Sequence, residues 1–231
     1  MSARPTVLVT GATRGIGHEI ARLLADDHRV IVGGRDRAAV EAVVAELPSA
    51  EAFVADLTDP GAVGSAVAAL DLAGGLDAVV HSAGILVSGR VADLSVADWA
   101  RSFAMNVTAV ADLTRLLLPA LRAARGTVVT INSGSGFTAG PGSAAYAASK
   151  FALRAFTDAL REEEREHGVR VSSVHPGRVD TDMQHELRAF EDGEYQAERY
   201  LRPGSVAQAV AFAVRAPAEA SVEVVSVRPR G

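Results

Sequence analysis

Cysteine is absent from this 231-residue chain, so neither a disulfide framework nor a thiolate metal site is open to it. Aromatic residues make up only 5 %, and the single tryptophan, Trp99, reads as a packing residue. Asparagine occurs twice, at Asn106 and Asn132, and lysine once, at Lys150, against 22 arginines, a bias that suits a GC-rich genome. Basic runs are missing and the formal net charge is −5, which argues against a nucleic-acid surface. The N-terminus, MSARPTVLVTGA, lacks a signal-like apolar stretch, and no run is read as reaching the roughly 18 residues that a membrane span needs. A cytoplasmic protein with no nucleic-acid or membrane partner is expected. With no repeat, low-complexity tract or linker, residues 1–231 read as a single domain.

What is present is an alternation. Short β-branched runs at 6–10, 29–32, 51–55, 76–81, 126–132, 169–174 and 222–227 are nearly continuous in apolar character, as in strands buried on both faces. Between them, 15–26, 37–47, 60–70, 105–124, 143–166 and 204–215 carry helical spacing of apolar residues. This pattern predicts an α/β, Rossmann-type, doubly wound three-layer fold with a seven-stranded parallel sheet, and ligands in such folds bind beyond the carboxyl ends of the strands.

The first strand runs into TGATRGIG, where Gly11, Gly15 and Gly17 let backbone N–H groups and a helix N-terminus approach a pyrophosphate. In YAASK, Tyr146 and Lys150 stand four apart, neighbours on one helix face. A phenol beside an ammonium is a candidate proton donor with its activator, because the positive charge favours tyrosinate and pulls the phenol toward working pH. His81 and His175 have no clustered carboxylates or cysteines near them in sequence, so no metal site is expected.

TGATRGIG, YAASK, the thirteen-residue spacing from Ser133 to Tyr146 and the HPG at 175–177 together resemble the short-chain dehydrogenase/reductase family in its compact form, over essentially the whole chain. The resemblance implies hydride transfer between a nicotinamide cofactor and an alcohol or carbonyl compound. It assigns catalytic places to Asn106, Ser133, Tyr146 and Lys150, with Ser135 as a rival to Ser133 that the spacing disfavours. Lys150 would also hydrogen-bond the nicotinamide ribose, Ser133 would donate to the substrate oxygen, and Asn106 would hold a water linking Lys150 to solvent. Cofactor contacts are expected from Gly11, Thr13, Arg14, Gly15, Ile16, Gly17, Arg35, Asp56, Leu57, Ser82, Ala83, Gly84, Tyr146, Lys150, Pro176, Gly177, Val179 and Thr181. Where the family usually has Asn-Asn-Ala-Gly, this chain has His81, Ser82, Ala83 and Gly84, so the side-chain support of the ribose there is open.

NAD-binding members carry an acid at the end of the second strand. Here that place falls on Gly34, followed by Arg35, while Arg14 stands in the glycine turn; two guanidinium groups favour a 2′-phosphate, and NADP is preferred over NAD. Asp36 complicates this if it turns inward. The substrate is expected to be a mainly apolar, medium-sized carbonyl or alcohol compound held by 85–87, 134–140 and a lid at 182–202, with Met183, Leu187, Phe190, Tyr195 and Tyr200 as walls. A homodimer or homotetramer is expected through the helices at 105–124 and 143–166, whose Leu113, Leu116, Leu117, Ala152, Phe156 and Leu160 exceed the needs of one buried face. The leading function is a carbonyl reductase or alcohol dehydrogenase. The alternatives are a non-catalytic NADP(H)-sensing regulator on the same fold, and a sugar-nucleotide epimerase or dehydratase, for which the C-terminal part is short.

Overall fold

Residues 4–230 are described by a computed structural model. The strands are β1 (Thr6–Val9), β2 (Arg29–Gly34), β3 (Ala50–Val54), β4 (Ala78–His81), β5 (Thr127–Ile131), β6 (Arg170–Pro176) and β7 (Val224–Val227). All pair in parallel, in the order β3-β2-β1-β4-β5-β6-β7. The chain reverses its winding between β1 and β4, and the crevice above that switch point is where such a sheet can admit a ligand.

The helices are α1 (Gly15–Leu24), α2 (Arg37–Glu46), α3 (Pro60–Ala68), α4 (Val96–Phe103), α5 (Ala109–Ala124), α6 (Ala144–Glu164), α7 (Asp182–Phe190) and α8 (Pro203–Val214). Because side chains alternate along a strand, every strand but the half-exposed edge strand β7 feeds two cores. Val7, Val9, Val30 and Val32 pack with Ile20 and Leu24 of α1, Val40 of α2 and Val210 of α8. Leu8, Ile31, Val79 and Val128 pack with Val63 of α3, Leu113, Leu117 and Leu121 of α5 and Leu160 of α6. The expected three layers are therefore present.

The structure departs from the sequence reading at α7, a helix within the segment read only as a lid, and in three further places. First, the helix expected at 105–124 begins earlier: Ser95 and Asp98 form a reciprocal capping box that starts α4, and a π-helical turn at Ala104–Thr108 joins it to α5. The S-x-x-D signal for that start was present in the sequence. Second, Val96–Ala124 is long and apolar enough, by length and composition, to cross a membrane, contrary to the reading that no run qualifies. Here its apolar stripe is spent on the sheet, through Leu113, Leu117 and Leu121. Third, Leu113, Leu117 and Leu160 are buried in this core, so of the six residues named for an oligomer face only Leu116, Ala152 and Phe156 are partly exposed.

The far ends of α5 and α6 are tied by one ion pair. Arg122 donates from Nε and Nη2 to both carboxylate oxygens of Glu164, at 2.8 and 2.7 Å, and Glu164 is buried. Hydrogen bonds from Arg122 hold the Glu164 carboxyl below its ordinary pKa of 4.5. A depressed carboxylate contributes stability that is complete above the ordinary value and is lost as pH falls through the folded one. Urea unfolding should therefore find Glu164→Gln less stable than wild type at pH 7, with the deficit closing in acid, whereas Leu117→Ala should cost ~2–5 kcal/mol at either pH.

Candidate functional site

Two adjoining cavities open at the carboxyl ends of the strands. A cleft of about 500 Å³ lies over β1, β2 and the end of β4, lined by Gly11, Thr13, Arg14, Gly15, Ile16, Gly17, Arg35, Asp56, Leu57, Ser82, Ala83, Gly84 and Thr181. A cavity of about 400 Å³ lies beyond β5 and β6, lined by Ser133, Tyr146, Lys150, Pro176, Gly177, Val179 and Thr181. Ile16, Ser82, Gly84 and Thr181 belong to both walls. The cofactor residues read from sequence are thus all brought to one continuous crevice.

The first cleft is built mainly from backbone. Gly11 has φ +63°, and a Cβ there would lie 2.9 Å from the Ala83 Cα, so the turn after β1 can approach the loop after β4 only as glycine. Thr10, which sequence reasoning left out, holds that approach: its hydroxyl accepts from the N–H groups of Ser82 and Ala83, both at 3.1 Å. The N-terminus of α1 has no side-chain cap from Arg14, leaving its first N–H groups to face the cleft. Such a glycine turn, uncapped helix end and open space fit a pyrophosphate. At the end of β2, a Cβ on Gly34 would meet Val40 Cγ2 at 2.7 Å and Thr13 Cγ2 at 2.9 Å, so an acidic side chain has no room. Asp36 does not turn inward; it caps α2 by accepting from the Ala39 N–H at 3.2 Å. Arg37 pairs with Glu41, and Arg14 with Asp182 at 3.0 Å across the cleft. Arg35 lines the cleft with no ion pair among the described residues. Asp56 accepts from the backbone and hydroxyl of Thr58, which hold its pKa low.

The second cavity is built from side chains. Ser133 follows β5 in extended conformation, and its Oγ accepts from the Ser135 N–H at 3.1 Å. Ser135 lines the same cavity and supports Ser133 through its backbone N–H. Lys150 is buried, its Nζ donating to the Ile131 carbonyl at 3.0 Å and lying 5.7 Å from the Tyr146 ring centroid. Burial lowers the Lys150 pKa to about 8. Burial also raises that of Tyr146 above its ordinary 10, partly offset by the Ser133 hydrogen bond. The expected depression by Lys150 is not among the causes acting on the phenol: desolvation of the tyrosinate is the largest, and it raises the pKa.

Asn106 sits in the π-helical turn and is buried. Its Oδ1 accepts from the Ile85 N–H, and Nδ2 donates to the Ile85 carbonyl and to Ser149 Oγ. Both donor hydrogens are used inside the protein, so the side chain fastens the loop after β4 to α6. Asn132, not assigned a role from sequence, donates to the Lys150 carbonyl and accepts from the Ser133 N–H. The two histidines are structural ties. His175 Nδ1 faces the Ser133 carbonyl at 3.0 Å, which can only accept, so Nδ1 carries the proton and Nε2 accepts from Ser173. His81 bonds Thr114 of α5, and burial lowers its pKa to about 4, keeping it neutral.

In the segment 182–202, Met183, Leu187 and Phe190 of α7 line the cavity as expected, joined by Ile85 and Leu86 opposite. Tyr195 and Tyr200 are not among its walls, nor is Val87, which is buried. Tyr195 stacks on His185 with centroids 3.6 Å apart, packs on Tyr200 and donates to Asp180, so the two tyrosines hold the segment down from outside.

The family description that matches residues 5–192 is short chain dehydrogenase. An uncharacterised oxidoreductase of Staphylococcus aureus strain MW2 is 32 % identical over 227 residues, covering 96 % of each chain. Among solved structures, an actinorhodin polyketide ketoreductase with NADPH superposes with TM-score 0.90 at 30 % identity, covering 98 % of this chain and 96 % of that one. An alcohol dehydrogenase of Thermococcus sibiricus complexed with 5-hydroxy-NADP superposes with TM-score 0.88 at 26 % identity, covering 97 % and 96 %.

Since Lys150 is the single lysine, amine-selective labelling read by mass spectrometry reports on it without interference from other side chains. The free-base form reacts, so the labelling rate should rise through pH about 8 rather than near the ordinary 10.5. A midpoint near 10.5 would mean that burial does not act on this amine in solution.

Proposed function

The chain belongs to the short-chain dehydrogenase family, and from that premise we propose that it is an NADP(H)-dependent oxidoreductase interconverting a secondary alcohol and a ketone or aldehyde. The observation that carries this reading is the convergence of Ser133, Tyr146 and Lys150 on one cavity that shares its walls with a glycine-lined cleft. When bound, the nicotinamide group supplies or accepts the hydride at the reacting carbon.

The chain's own residues manage the oxygen. With its pKa raised by burial, Tyr146 is protonated at neutral pH, the state required of an acid that gives its proton to a carbonyl oxygen. Ser133, its lone pair occupied by the Ser135 N–H, turns its O–H toward the same oxygen and stabilises the developing alkoxide. Lys150, titrating near 8, keeps an exchangeable proton beside the pair at neutral pH. Arginine is a poor substitute: it would bring a wide planar fork to the place where Lys150 sets a compact ammonium 3.0 Å from the Ile131 carbonyl. Asn106 and Asn132 position these groups and do not meet the substrate.

Preference for NADP is supported by the closed position at Gly34, by the use of Asp36 as a helix cap, and by Arg35 standing free at the cleft. We also keep the proposal of a homo-oligomer, now resting on Phe151, 42 % exposed, and the half-buried Leu116, Ala152 and Phe156.

The test is NADPH oxidation against a panel of carbonyl compounds. On any substrate that turns over, Tyr146→Phe should lose about 100-fold or more in kcat, and Lys150→Arg more than about tenfold, with unchanged circular dichroism. Near wild-type turnover in either variant would defeat the assignment. Arg35→Asp should weaken NADPH binding by about 2 kcal/mol or more and NADH binding little; an unchanged ratio would remove Arg35 from the 2′-phosphate site.

A further inference from the structure

Amphipathic α7 turns Met183, Leu187 and Phe190 to the cavity, an apolar stripe at helical spacing. One position on the cavity side breaks the stripe. Gln184 is the single buried residue of the helix, 5 % exposed, and it is polar. Its Nε2 has no hydrogen-bond partner. Two other buried side-chain atoms share that condition among the described residues, Glu51 Oε1 and Thr127 Oγ1. Glu51 Oε1 lies 2.6 Å from Arg29 and Thr127 sits within β5, so Gln184 alone of the three forms a wall of the cavity that holds Ser133 and Tyr146.

A buried amide donor without an acceptor costs free energy that methionine or leucine at the same place would not. Apolar residues already occupy the rest of the stripe, so packing does not account for the glutamine. A ligand oxygen in the cavity does. The terminal torsion of glutamine is soft and broad, so the amide can turn Nε2 toward an acceptor that arrives there. A site with such a donor discriminates strongly against ligands that leave it unpaired.

We propose that Gln184 is a specificity-determining residue that donates to a second oxygen of the substrate, a hydroxyl or carbonyl apart from the reacting group, so that the substrate class is oxygen-bearing ketones and aldehydes rather than purely apolar ones. This rests on the oxidoreductase reading of the same cavity. It revises the sequence expectation of a mainly apolar compound in one respect: the α7 wall, apolar at Met183, Leu187 and Phe190, carries an unpaired donor at Gln184.

Paired ketones matched in length, one with a second oxygen and one without, separate the two readings. Wild type should prefer the oxygenated partner of a pair by tenfold or more in kcat/KM, chiefly through KM. Gln184→Met, close in volume and lacking the orphan donor, should melt no lower than wild type and lose most of that preference. An unchanged preference in Gln184→Met, or a lower melting temperature with equal losses on both ketones, would overturn the proposal and make Gln184 a packing residue. If neither ketone of any pair oxidises NADPH, the oxidoreductase reading is what fails. The inference is then read from binding of the corresponding diol and monoalcohol by calorimetry: loss of diol preference in Gln184→Met supports it, and equal affinities in wild type overturn it.

Discussion

A buried ammonium must be met by oxygen acceptors or give up its proton, and in this protein that constraint falls on the only lysine. Lys150 has the Ile131 carbonyl as its acceptor and no carboxylate partner among the described residues. Meeting it requires α6 to lie against the carboxyl end of β5 at a fixed height. Asn132 sets that height by donating to the Lys150 carbonyl while accepting from the Ser133 N–H, so the strand end that bears Ser133 and the helix that bears Tyr146 cannot shift separately. The partial loss of the lysine proton near pH 8 follows from the same burial that makes the placement possible.

Asn106 extends the network to β4. From a π-helical turn, where the backbone is wider than in an α-helix, its amide reaches both the loop at Ile85 and Ser149 on α6. His81, buried at the end of β4, ties that strand to α5 through Thr114. It stands where the resembling family has an asparagine, and it performs a structural tie with a different side chain. Thr10 then joins β1 to the same loop. Three strand ends and two helices are thereby locked around the crevice by hydrogen bonds among uncharged side chains and backbone.

The two halves of the crevice differ in kind. The cleft over β1 and β2 is shaped by backbone: glycines where a Cβ would collide, and a helix end with free N–H groups. Such a surface suits a ligand part that is the same in every turnover. The neighbouring cavity is shaped by side chains of α7 and the loop at Ile85–Leu86, which can change residue by residue without disturbing the sheet. α7 is also the element bound to the rest by surface contacts, the exposed Arg14–Asp182 pair and the stacked His185–Tyr195 rings.

The resemblance to the family implied that Ser133 joins this crevice; the sequence by itself determined the layers, the parallel sheet, the glycine turn after β1 and the pairing of Tyr146 with Lys150. These follow from local signals: continuous apolar strands, glycine spacing, and a four-residue step that puts two side chains on one helix face. It also carried, unread, the capping box at Ser95. What tertiary structure decided depends on neighbours remote in sequence. Asp36 could cap a helix or face a ribose until α2 was in place, and a Cβ at Gly34 collides with Val40 and Thr13, which only folding brings there. The raised pKa of Tyr146 depends on how much protein surrounds it, which spacing cannot express. The same holds for Leu113, Leu117 and Leu160, indistinguishable in sequence from interface residues until the sheet covers them. Gln184 is the sharpest case: a glutamine at the start of an unremarked helix has no meaning in sequence, and acquires one from burial beside a cavity without a partner, because the cost of an unmet hydrogen bond exists only where water has been excluded.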